Sequence, residues 1–123
     1  MAGDPGWLPG KHEEGKMSHY LIQVAYTPEA WATMVKNPQD RIKAITPVVE
    51  RLGGKVKDGY LTFGEYDTIA ICEFPDDVSA AAFSLAASAG GACKTFRTTP
   101  LLTVADGVKA MKKAGGVSYE PPG

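Results

Sequence analysis

Apolar and polar positions alternate along His19–Tyr26 (HYLIQVAY). Tyr20, Ile22, Val24 and Tyr26 fall on one face and His19, Leu21, Gln23 and Ala25 on the other, which is the period of a strand. Thr27-Pro28-Glu29 then supplies an N-cap, a proline at the first helical position and an early acid, predicting a short helix through Trp31, Met34 and Val35. Asn37-Pro38 repeats that signal for a second helix. Ile42, Ile45, Val48, Val49 and Leu52 line its apolar face, with Arg41, Lys43, Glu50 and Arg51 opposite. Pro47 lies inside this helix, where it removes a backbone donor. Gly53-Gly54 ends it. Lys55–Phe63 reads as a second strand with a bulge at Asp58-Gly59. A hairpin turn at Asp58-Gly59 would leave two strands of about four residues, shorter than usual. The turn belongs at Gly64-Glu65, followed by a third strand, Tyr66–Phe74 (YDTIAICEF). Asp76 or Asp77 caps a third helix. From Val78 to Cys93 that segment carries no charge, and Gly90-Gly91 stops it. A fourth strand spans Lys94–Val104 and is broken or edge-placed at Pro100. Asp106 is expected to cap a last helix with Val108 and Met111, ended by Gly115-Gly116.

The order strand, helix, strand, strand, helix, strand predicts an α+β, ferredoxin-like βαββαβ fold. One antiparallel four-stranded sheet would carry its helices on one face. The other face should be polar in a monomer. Neither face of the third strand is: Thr68, Ala70 and Cys72 hold the middle of one side and Ile69 and Ile71 the middle of the other, and the first strand has no charge after His19. A second copy is the simplest cover, which predicts a homodimer packed through its sheets as a dimeric α/β barrel, or a higher oligomer. The uncharged third helix should likewise be covered on most sides.

Length and composition narrow the function. At 123 residues and 44% hydrophobic, the chain suits one domain. Residues 17–114 are its expected extent. Residues 1–16 read as a disordered leader or vector remnant, with Trp7 and Leu8 as anchors if it docks instead, and 115–123 as a tail. Net charge is −1 with no basic block, so nucleic acid is a poor partner. No run reaches the roughly 18 apolar residues of a membrane span, and no signal-peptide pattern opens the chain. Cys72 and Cys93 are too few for a disulfide framework and read as reduced thiols of a cytoplasmic protein.

Phe63-Gly64-Glu65-Tyr66-Asp67, followed by Glu73-Phe74-Pro75-Asp76-Asp77 and by Arg97-Thr98-Thr99-Pro100-Leu101-Leu102, resembles the GYD-domain family of small bacterial proteins. The resemblance covers about Ser18 to Ala114. It implies a ferredoxin-like fold that pairs into an α/β barrel, and no set chemistry.

The residues themselves leave the Gly-Tyr-Asp element open to two readings. In the first it builds a turn: Gly64 tolerates positive φ, Tyr66 packs and Asp67 accepts backbone N–H bonds. In the second, Tyr66 and Asp67 stand at the mouth of a ligand pocket walled by Trp31 and other aromatics, where Arg97 holds a carboxylate. Arg97 is also open to an exposed edge position or an ion pair with Glu73 or Asp67. No metal or cofactor pattern is present: no His or Cys pair has ligand spacing, and the glycine pairs lack a phosphate-loop context. The sequence therefore points to a small oligomeric domain that binds a ligand or partner and regulates. The alternative is a cofactor-independent enzyme, monooxygenase- or isomerase-like, on a small aromatic or carbonyl compound. His19, Tyr26 or Tyr66 would then move protons.

Overall fold

A computed structural model describes residues 17–123. Its elements run β1 (Ser18–Tyr26), α1 (Pro28–Lys36), α2 (Arg41–Arg51), β2 (Lys55–Leu61), β3 (Thr68–Phe74), α3 (Asp77–Ala89), β4 (Cys93–Leu101) and α4 (Val104–Gly115). The sheet order is β2-β3-β1-β4, with every neighbouring pair antiparallel. This is the ferredoxin-like α+β arrangement. The two long β1 ladders carry the register, with Ile22 opposite Ala70 on one side and Thr98 on the other.

Strand alternation sorts the side chains. Tyr20, Ile22, Val24 and Tyr26 of β1 and Thr68, Ala70, Cys72 and Phe74 of β3 are buried on the helix side. Val49 of α2 and Ala80 and Phe83 of α3 close the core over them. Gly59 lies on that side because α2 passes directly above it. A Cβ there would come within 2.6 Å of Ile42 Cδ1.

Several boundaries differ from the sequence expectation, each for a local hydrogen-bonding reason. Asn37-Pro38 does not start α2, because the Asn37 N–H closes α1 on Thr33 O at 2.8 Å. Asp40 caps α2 instead, accepting from Lys43 N at 3.0 Å. Thr103, not Asp106, caps α4: Thr103 Oγ1 accepts from Asp106 N at 3.0 Å. Asp76 caps α3 through Ser79 N at 2.8 Å. The β2 irregularity lies between Val56 and Asp58, one residue before the expected position. β2 stops at Leu61 and β3 starts at Thr68, so residues 62–67 form a longer loop than a tight turn at Gly64-Glu65. α2 continues through Pro47, with Thr46 Oγ1 donating to Ile42 O at 2.7 Å beside it. Pro100 sits on an edge strand, where its missing N–H costs no ladder bond on the open side.

Two helices leave apolar side chains in solvent. α3 exposes Val78 and Leu85, so its outer face is uncovered in the single chain. α4 is amphipathic but buries none of its residues; Val104, Val108 and Met111 are exposed. No described helix is long and apolar enough to cross a membrane. The leader, with Trp7 and Leu8, lies outside the described residues.

Candidate functional site

The loop between β2 and β3 is pinned to the sheet by Asp67. Its N–H donates to Val24 O at 2.8 Å and its carbonyl accepts from Thr62 N at 2.8 Å. Its Oδ2 accepts from Tyr26 N at 2.9 Å and from Trp31 Nε1 at 3.1 Å. One carboxylate oxygen thus ties together the loop, the end of β1 and the start of α1. Trp31 then stands edge-on to Tyr26, with ring centroids 5.6 Å apart. Tyr66 is half-buried, and its carbonyl accepts from Thr62 Oγ1 at 2.6 Å. Gly64 is exposed with no neighbour near its Cβ direction, and its φ lies outside the left-handed region.

The sequence candidates fall on two sides of the sheet. Tyr26, Trp31 and Asp67 gather at the helix side. His19 and Arg97 point to the helix-free face, by their register opposite Leu101 and Gln23. His19 Nε2 lies 3.0 Å from Glu73 Oε2, and Lys57 Nζ lies 3.9 Å from the same oxygen. Arg97 is exposed, without an ion pair to Glu73 or Asp67 among the described residues. A pocket using Tyr26 and Arg97 together would have to cross the sheet.

Two cavities open on the helix side. One, of about 470 Å³, lies between the α1–α2 connection and β2, against Trp31, Met34 and Ile42. The other, of about 300 Å³, lies between the sheet and the α2 and α3 helices, against Ile22, Val48, Phe83 and Phe96. Tyr26, Thr68 and Arg41 line both. Sequence reasoning placed Arg41 on the solvated face of α2. As the first residue of that helix it instead sits half-buried, its Nη1 donating to Gln39 Oε1 at 2.8 Å.

Burial governs the titrating groups. It pushes the Cys72 thiol up to about 11 and raises Cys93 as well, the Arg41 charge working against the latter. Tyr20 is pushed up to about 12 by burial and by donating to Asp77 Oδ1 at 2.5 Å. Among the described residues no group of three or more His, Cys, Asp or Glu side chains is placed to hold a metal ion.

The family model described as the GYD domain matches residues 20–113. The chain belongs to the GYD-domain family. A curated relative, the glutamine synthetase and cystathionine beta-lyase binding protein of Thermus thermophilus, is 31% identical over 97 residues. That match covers 78% of this chain and 100% of the relative. The crystal structure of MtbAldR is similar with a TM-score of 0.52 at 16% identity, over 84% of this chain and 63% of that one. This GYD domain therefore spans less than two thirds of the MtbAldR chain, and the likeness speaks to fold alone.

In this GYD domain the motif does structural work first. The aspartate is a three-way staple, and its Oδ2 is committed to two N–H donors. Close to the motif, the surfaces available for recognition are the apolar tip of the β2–β3 hairpin, where Tyr60, Leu61 and Phe63 are all exposed, and the paired cavities around Tyr26, Thr68 and Arg41.

Proposed function

We propose that this GYD domain is a cytoplasmic, homo-oligomeric module that regulates metabolic enzymes by docking on them, without catalysis of its own. The observation that carries the reading is the 31% identity, over the relative's whole length, to a protein named for binding two enzymes. The geometry supports it. Asp67 Oδ2 is spent inside the fold, while Phe63 at the hairpin tip is 94% exposed, close to the exposed Leu61. An exposed aromatic beside other apolar side chains is the usual anchor of a protein interface.

The same proposal puts a second copy on the helix-free sheet face. Leu21 and Ile71 are register partners there, next to Ile69 and Tyr60. A face with so apolar a centre favours self-association.

Sedimentation velocity of the purified domain mixed with glutamine synthetase, and separately with cystathionine beta-lyase, from its own source tests the docking. Co-sedimentation with either enzyme is expected, weakened at least about tenfold by Phe63→Ser, since a central aromatic anchor typically supplies that much. Independent sedimentation with both enzymes refutes the reading.

A further inference from the structure

We propose that the paired cavities form a binding site for a small carboxylic acid with an apolar body, held by Arg41 at the point where the cavities meet. This goes beyond partner docking and does not depend on it.

Three observations on the helix side converge. The first is the space. Above the sheet, α3 presents Ala86 and Ala87 beside Phe83, and these short side chains do not reach the Ile45 and Val48 row of α2. The resulting cavity of about 300 Å³ is at the lower end of the range for ligand pockets. It suits a body of one ring or a short branched chain.

The second is the charge. Arg41 lines both cavities at the first turn of α2, where the helix N-terminus adds to its positive field. Asp40, the carboxylate beside it, lines the larger cavity, where it is exposed with Oδ1 engaged by Lys43 N, and no carboxylate of the described residues lines the smaller one. Among the described residues the Arg41 guanidinium donates only to Gln39 Oε1, so its remaining N–H groups can grip a carboxylate in its planar fork.

The third is a spare proton. Tyr26 and Thr68 are 9% and 6% exposed, and their hydroxyls are 3.0 Å apart. Two hydroxyls carry two protons, and the bond between them uses one. No other hydrogen bond of the described residues uses the second. A buried pair with one uncommitted O–H is a ready donor to a ligand oxygen, on a wall shared with Arg41.

The test is isothermal titration calorimetry of the full chain with three probes of one shape: phenylacetate, phenylacetamide and phenethylamine. Phenylacetate should bind, phenylacetamide at least about tenfold more weakly for loss of the charge-assisted contact, and phenethylamine not at all. Arg41→Met should abolish the preference for the acid. Ala87→Phe, which fills the cavity, should remove binding of both acid and amide. A readout needing no substitution is alkylation of Cys93, a residue that lines the cavity: phenylacetate should slow it and phenethylamine should not. Equal affinity for acid and amide, no phenylacetate binding at millimolar concentration, or unprotected Cys93 would each overturn the proposal.

Discussion

Asp67 shows how much one side chain can organise. Its Oδ2 satisfies a backbone N–H and the indole N–H of Trp31, both at the seam between β1 and α1. Asp67→Ala leaves two part-buried donors without a partner, each costing about 1–3 kcal/mol. We expect urea unfolding to register a loss of about 2–6 kcal/mol, with Trp31 fluorescence shifted to the red as its ring loosens. Tyr20 carries a different signature. Its hydroxyl is pushed up to about 12 in the folded chain against an ordinary value of about 10. Between those values the unfolded chain has lost the proton and the folded chain keeps it. The contribution is therefore full below pH about 10 and is lost as pH rises through about 12. Chemical denaturation from neutral pH into that window should show stability falling. Tyr20→Phe should flatten that fall, while forfeiting the bond to Asp77 at neutral pH.

At the scale of elements, α2 and α4 are the least self-sufficient. α2 holds Pro47 in its interior, where no N–H is available for the carbonyl one turn back. The helix persists because Ile42, Ile45, Val48 and Val49 pack against the sheet. Packing thus overrides a local penalty of up to about 3 kcal/mol. Pro47→Ala should restore the bond and raise stability by about 1–2 kcal/mol, partly offset by a freer unfolded chain. The thermal midpoint measures it, and a fall would mean that the proline geometry is required. α4 has the opposite problem. Its caps are good, with Thr103 before it and Lys112 and Lys113 in its last turn, but none of its residues is buried. A helix of that length is marginal in water on its own.

For the whole molecule, the two sheet faces divide the work. The helix side holds the core and the cavities. The helix-free side carries Leu21, Ile69 and Ile71 at its centre and His19, Glu73 and Lys57 at one end. If a second copy covers that centre, Ile71→Lys should convert the assembly to a folded monomer in sedimentation equilibrium. Each copy would otherwise desolvate an unpaired ammonium in the interface. An unchanged mass for a folded Ile71→Lys variant would remove the sheet-packed dimer.

Much of the architecture was legible in order and period. The alternation of Tyr20, Ile22, Val24 and Tyr26 put these four side chains on one face of β1, and the packing of Val49, Ala80 and Phe83 over them makes it the helix-facing one. The charge-free run after Asp77 identified α3, and Gly53-Gly54 the end of α2. These are local properties: a strand's parity and a helix's stop depend on neighbours within a few residues. The caps at Asp40 and Thr103 were misread because several capping residues lie close together, and only the competing bonds of Asn37 and Asp106 decide between them.

The candidate site was legible only in part. Tyr26, Trp31 and Asp67 were all singled out, yet their meeting at one oxygen joins residues 41 and 36 positions apart. Cross-strand register sent Arg97 to the opposite face from Tyr26, and the placement of α2 over β2 brought Arg41 to the cavities instead. The sequence by itself therefore determined the elements, their order and which residues of β1 and β3 share a face, because these follow from short-range periodicity. Which charged group faces which aromatic was decided by tertiary structure alone, because register and helix placement are set by contacts between distant segments that no local pattern records.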